Sequence, residues 1–177
     1  MSDDRRPFAF RPLRRADQEL SRAEAETILR EAKTAVLALS GDGGFPYAVP
    51  VNPLYREGKV YFHSAPTGHK IDAIRRCAKV SLCVVAQDDV LPEKLTTAYR
   101  SVIVFGRARI VDRPDEARRI AESLGEKYAA DYPELCRRAV DGALSAGKMV
   151  CVEIVPDRIT GKCGRQVLLR RRESETR

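Results

Sequence analysis

Apolar residues recur along the chain with two periods, and the switch from one to the other marks out the elements. Ala25, Ile28, Leu29 and Ala32 fall on one helical stripe, opened by Ser21 and Glu24 at capping-box spacing. Thr34 to Ser40 is a compact apolar strand that stops at Gly41-Asp-Gly-Gly44, a turn requiring positive φ values. The return strand, Phe45 to Tyr55, contains Pro46, Pro50 and Pro53. Proline cannot donate to a ladder, so this strand is expected at an edge or bulged, with free backbone groups facing a cavity around Val49 to Asn52. Arg56-Glu-Gly-Lys59 forms a second tight turn into Val60-Tyr-Phe-His63, and three strands on short turns predict an antiparallel meander.

Further along, a helix opens near Thr67 or Gly68 with Ile71 and Ile74 facing inward. Lys79 to Ala86 is a strand, Gln87 to Ala98 a longer loop, and Tyr99 to Val111 the longest strand, with Gly106 marking a bend or bulge. Ala117, Ile120, Ala121, Leu124 and Tyr128 make a helical stripe behind Pro114, and a second helix runs from about Pro133 to Leu144. Met149 to Val155 is the last full strand, with Ile159 to Lys162 a short closing piece. The expected fold class is α+β: a mainly antiparallel, six-stranded, closed or nearly closed β-barrel with peripheral helices. Alternating βαβ units and a GxGxxG are absent, which excludes a dinucleotide-binding Rossmann domain. Residues 1–12 read as an extension, 13–164 as one domain and 165–177 as a basic tail.

Composition narrows the function classes. The apolar fraction is 44%, ordinary for a globular chain of 177 residues that forms one core. No stretch approaches the ~20 apolar residues of a membrane span, and the N-terminal arginines precede no apolar run, so a cytoplasmic location and no membrane partner are expected. The five cysteines form no C-x-x-C and have no histidine at metal-ligand spacing, so neither a metal site nor a structural disulfide is expected. The net charge of +7 resides largely in the two tails, and no aromatic-interleaved basic face appears, which argues against specific nucleic-acid binding.

The candidate chemistry sits in Tyr61-Phe-His-Ser-Ala-Pro-Thr-Gly-His-Lys-Ile71, where a strand hands over to a helix whose first turn carries His69 and Lys70. Cations are disfavoured at the positive end of a helix dipole, and Asp72 offsets them only in part. A bound phosphate would resolve the conflict: Ser64 and Thr67 supply hydroxyls, Gly68 close backbone approach and Lys70 a charge-assisted bond. A solvated turn with basic residues remains the other reading of the same stretch. Metal ligation is not part of either.

Ala48-Val-Pro-Val-Asn52, Tyr61-Phe-His-Ser-Ala65, Gly68-His-Lys-Ile-Asp72 and Tyr99-Arg-Ser-Val-Ile-Val-Phe-Gly106, in this order and spacing, resemble the pyridoxamine 5′-phosphate oxidase-like flavoproteins with an FMN-binding split barrel. The nearest branch is that of the 5-nitroimidazole resistance proteins, which Leu13-Arg-Arg-Ala-Asp17 also resembles. The resemblance covers roughly Leu13 to Gly164 and implies a homodimer with FMN at the subunit interface. It implies that Ser64 and Lys70 hold the phosphate with Ala65, Thr67, Gly68 and His69 close by, and that His63 lies along the ribityl chain. Pro50, Val51 and Asn52 would edge the ring, and Tyr99, Arg100 and Ser101 would come from the partner subunit. The C-terminal arginine and histidine pattern of the vitamin B6 oxidases is not recognisable, and Ile159-Thr-Gly-Lys162 stands in its place. The implied activity is therefore reduction of a small electrophile such as a nitroaromatic, with His69 the candidate proton donor and His63 the other histidine able to deliver one. The alternative is a non-catalytic carrier of flavin, deazaflavin F420 or haem on the same barrel.

Overall fold

The computed structural model describes residues 10–169. The expected N-terminal extension and the end of the basic tail lie largely outside them. Eight strands form a single antiparallel sheet: β1 (Glu19–Leu20), β2 (Ala35–Ser40), β3 (Pro46–Val51), β4 (Leu54–Arg56), β5 (Lys59–Ser64), β6 (Lys79–Leu91), β7 (Thr96–Ile110) and β8 (Val150–Cys163). Four helices accompany them: α1 (Arg22–Glu31), α2 (His69–Arg76), α3 (Pro114–Tyr128) and α4 (Pro133–Ser145). The α+β class and antiparallel sheet are as expected, but the strand count is eight rather than six. Proline breaks the expected Phe45–Tyr55 strand into β3 and β4, and the two-residue β1 pairs with β8.

Strand order is β3-β2-β6-β7-β8-β5-β4. The expected meander is therefore two separate hairpins, β2–β3 and β4–β5, at opposite ends of the sheet. Only Asn52 and Pro53 separate the end of β3 from the start of β4, a span of at most about 11 Å. The sheet must curl until its two edges nearly meet, although no β3–β4 ladder forms among the described residues. Pro46 and Pro50 fit this arrangement because β3 pairs on one side only. The turns behave as their glycines require: Gly43 and Gly44 have φ of 62° and 81°, and Glu57 and Gly58 have 51° and 77°, the two positive values of a tight primed hairpin turn.

Two of the long strands run further than their composition indicates. The expected Gln87–Ala98 loop is the outer part of the β6–β7 hairpin, whose ladder continues from Gln87↔Arg100 to Leu91↔Thr96 past an irregularity at Ala86. Its residues are mostly exposed, so polar side chains and a ladder coexist. Ile159–Lys162 is likewise no separate piece but the continuation of β8 beyond a shift opposite Gly106. Gly106 is obligatory there, since a Cβ would lie 2.5 Å from the Val155 carbonyl oxygen.

Alternation along the strands divides the apolar residues into two bodies. Val60, Phe62, Val102, Val104, Val152 and Ile154 point inward and, with Ile28 and Leu29 of α1 and Ile71 and Ile74 of α2, form the main core. Each large side chain fully buried there contributes about 1.5–3 kcal/mol. Residues 165–169, where the tail was expected to begin, are helical and place Val167 in the same core. On the outer face, Leu54, Tyr61 and Cys151 meet Ile120, Ala121, Leu124 and Val140 of α3 and α4.

Between these bodies lies one buried carboxylate. Glu153 is paired in register with Tyr61 on one side and Arg109 on the other. Its oxygens accept from Lys59 Nζ at 2.8 Å and Arg109 Nε at 2.7 Å, and Arg109 also reaches Glu116 at 2.6 Å. Burial pushes the Glu153 carboxyl up, but the two hydrogen bonds outweigh it and hold the group below the ordinary value of 4.5. Stability from this group is present above that value and is lost as pH falls through the depressed one. Glu153→Gln is expected to cost about 2 kcal/mol at neutral pH, less than a fully buried pair because Lys59 and Arg109 can return to water. The variant should also lose part of the acid-dependent decline. Urea unfolding at neutral pH and melting from neutral down to about pH 3 measure both.

Candidate functional site

At the junction of β5 and α2 the chain passes through Ala65–Gly68, with Gly68 at φ 109° as the N-cap residue. No side chain caps the helix, and the His69 and Lys70 amides have no acceptor among the described hydrogen bonds. Lys70 is half-buried, its Nζ 5.7 Å from the centroid of the Phe62 ring, and burial lowers its pKa. No carboxylate or hydrogen-bond partner of Lys70 occurs among the described residues. Asp72, the one acid of the first turn, is engaged by Arg75 at 3.4 Å. The Ser64 and Thr67 hydroxyls make no described hydrogen bond either. An uncapped helix end, a desolvated ammonium without a counter-ion among the described residues and two hydroxyls fall within seven consecutive residues, 64–70, and are donors of the kind an anion requires.

The two histidines part company. His69 stacks on Tyr47 of β3, ring centroids 4.0 Å apart at 14°, and its Nε2 lies 3.5 Å from Asp42. Asp42 also pairs with Arg76 at 2.7 Å, so both ends of α2 are tied to the β2–β3 turn. His69 thus serves as an anchor in this chain. His63 instead projects from the outer face of β5 into an open cleft of about 390 Å³ that Asn52 also lines. Burial and the nearby Lys70 charge both lower its pKa.

Pro50 is exposed along the free side of β3, whereas the Val51 side chain is buried in the main core. The Asn52 side-chain amide donates to the Lys33 carbonyl at 2.9 Å. Two residues that sequence reasoning passed over hold this segment. Lys127 Nζ donates to the Ala32 and Pro53 carbonyls, both at 2.7 Å, and the Tyr128 hydroxyl donates to Pro53 at 2.7 Å, with the Lys33 carbonyl also within reach at 3.2 Å. Burial lowers the Lys127 pKa and raises that of Tyr128 to about 12. Tyr128 is legible in sequence only as part of a helical stripe, and Lys127 carries no signal at all. Their partners are backbone atoms 74 to 96 positions away.

Tyr99, Arg100 and Ser101 do not join this group within the chain. Arg100 and Ser101 pair on β7 opposite Cys163 and Lys162, and the Tyr99 carbonyl accepts from the Gly164 amide, while His63 pairs opposite Cys151 at the other end of β8. Arg100 faces the inner side with its Nε buried and without a partner.

The model of a protein family described as pyridoxamine 5′-phosphate oxidase matches residues 21–163. No curated protein matches the chain significantly. Among solved structures, a conserved hypothetical protein of Mycobacterium tuberculosis superposes with a TM-score of 0.74 at 26% identity, over 88% of this chain and 92% of that one. A candidate 5-nitroimidazole antibiotic resistance protein of Bacteroides thetaiotaomicron gives 0.68 at 22% identity, over 82% and 86%. An FAD- and haem-binding protein of Mycobacterium smegmatis gives 0.67 at 20% identity, over 84% and 73%. No described helix is long and apolar enough to cross a membrane. With the family model spanning β2 through β8 and these structures sharing its fold, the chain belongs to the pyridoxamine 5′-phosphate oxidase family.

Proposed function

We propose that the protein is a flavin-dependent oxidoreductase that binds FMN and reduces a small electrophile of the nitroaromatic, 5-nitroimidazole-like class. The observation that carries the reading is Lys70: a half-buried ammonium at an uncapped helix N-terminus with no counter-ion among the described residues. Ser64, Ala65, Thr67, Gly68, His69 and Lys70 would receive the phosphate, and Pro50, Val51 and Asn52 would border the ring. Bound flavin supplies electron transfer of a kind no side chain here offers. The protein's own part is to hold, orient and protonate. Lys127 and Tyr128 fix the Asn52–Pro53 backbone, and His63, open to the cleft, takes the proton-handling role expected of His69.

The likeness to a protein that binds both FAD and haem keeps a carrier role as the second reading. The absorbance of the purified protein tells flavin from haem by the presence of a Soret band, and turnover of a nitroaromatic by the flavin-loaded protein tells an oxidoreductase from a carrier.

A homodimer is part of this proposal. Tyr99 to Ser101 stand far along β8 from His63, and a partner copy can supply them to the site where the same chain cannot. Val36, Val85, Ile103 and Phe105 are exposed on neighbouring strands of the outer face, apolar surface of the kind an interface covers. Sedimentation should give about twice 19.8 kDa at micromolar concentration, and a stable monomer there would count against the dimer.

Lys70→Ala tests the cradle. Removing one charge-assisted contact to a phosphate costs about 1.5–3 kcal/mol, so FMN affinity should fall roughly ten- to a hundred-fold. Riboflavin, which lacks the phosphate, should bind variant and wild type alike. In the empty protein the lost contact with the Phe62 ring, ~0.5–1 kcal/mol, offsets the relief at the helix dipole, ~0.3–1 kcal/mol, and stability should barely change. Equal losses for both ligands would make Lys70 a structural residue.

A further inference from the structure

α3 and α4 do not close against each other and the sheet. Between them and the outer face of β5 lies the 390 Å³ cleft, and its helical walls are cut short by Ala121, Gly125, Ala129, Ala139 and Ala143. The helices meet at Gly125, where a Cβ would overlap Cys136 Sγ, so the cleft is bounded by a close backbone contact rather than by collapse. The space exceeds twice the ~150 Å³ cavity that holds a benzene ring and falls within the size range of small-molecule sites.

What lines the cleft is as informative as its size. No Lys, Arg, Asp or Glu contributes to it, whereas the neighbouring cleft under α3 is walled by Arg56, Lys59, Glu116, Arg119 and Glu153. Of its polar groups, the Tyr128 hydroxyl and the Asn52 amide nitrogen are committed to backbone carbonyls. Asn52 Oδ1 and the His63 ring are left on the sheet side, one acceptor and one group that donates or accepts. An anionic ligand would surrender its hydration here for no cation, because Lys70, the nearby charge that acts on His63, is committed to the phosphate in the reading above.

We propose that this cleft binds an uncharged, flat, mainly apolar small molecule with a single polar edge, presented to Asn52 and His63, and that it discriminates against carboxylated and phosphorylated analogues. The proposal names the substrate class of the flavin site and rests on that reading for Lys70 and for the position of the cleft beside the ring edge.

Calorimetric titration of the purified full-length protein with 4-nitrobenzyl alcohol, 4-nitrobenzoate and 4-nitrophenyl phosphate tests it, since the three share one ring and differ in charge. The alcohol should bind on the order of ten-fold or more tightly than either anion. Ala143→Phe, which puts a ring into the cleft and leaves the cradle untouched, should weaken the alcohol by a similar factor with flavin content unchanged. Ala139→Phe repeats the measurement from the preceding turn of α4 if the first variant melts early. Anions that bind as tightly as the alcohol, or alcohol binding that survives both folded variants, would overturn the proposal. So would the absence of alcohol binding to wild type, the result expected if a second copy of the chain fills the cleft. Charge discrimination in a protein that never carries flavin would remove the flavin reading and leave the uncharged-ligand cleft standing.

Discussion

The geometry depends on how the chain crosses from β3 to β4. Those strands sit at opposite ends of the sheet order, and only Asn52 and Pro53 join them. Such a short link forces the sheet to curl, and the curl creates an inside for Val60, Phe62, Val102, Val104 and Val152 to fill. Proline at 50 and 53 removes two donors that a ladder would otherwise demand. The carbonyls beside the crossover are not left unsatisfied. Lys127, Tyr128 and the Asn52 amide collect those of Ala32, Lys33 and Pro53, so the last turn of α3 rivets the crossover to the end of α1. A lysine charge held among carbonyls at this burial is costly, and the network of short hydrogen bonds to it is what offsets the cost.

The candidate site is built where that rigid crossover meets a helix end left deliberately open. α2 is held at both ends to the β2–β3 turn through Asp42, which contacts His69 and Arg76, and His69 is further fixed by stacking on Tyr47. A helix anchored by other groups can present unoccupied amides and a desolvated Lys70 without fraying, and stored polarity of this kind favours an anion over water. Division of labour between the histidines follows: one braces the helix, the other faces the cleft.

The outer layer has a different logic. Glu153, in register with Tyr61 and Arg109, is a charged seam under α3, and next to it the α3–α4 hairpin stands off the sheet over small residues. Charge was kept on one side of Tyr61 and excluded from the other. The two clefts, one under α3 and one between α3, α4 and the sheet, thereby offer opposite environments to a ligand.

Local chemistry alone determined a good deal of this protein. The capping box at Ser21 and Glu24, the glycine turns, the edge position of the proline-bearing strand, the bulge at Gly106 and the helix opening at Gly68 follow from interactions within a few residues, and all are present. The conflict between Lys70 and the helix dipole is equally local, which is why it was legible before any fold was known. Tertiary structure decided what depends on distant partners. It separated β3 from β4, because pairing is chosen by the whole sheet and not by turn length. It extended β6 and β7 through polar residues, because a ladder needs backbone groups rather than apolar side chains. It made His69 an anchor through Tyr47 and Asp42, and it gave Lys127 and Tyr128 carbonyls for partners, for which no side-chain pattern exists in the chain. Burial and hydrogen bonding over such separations are properties of the folded surface, and one-dimensional periodicity carries no record of them.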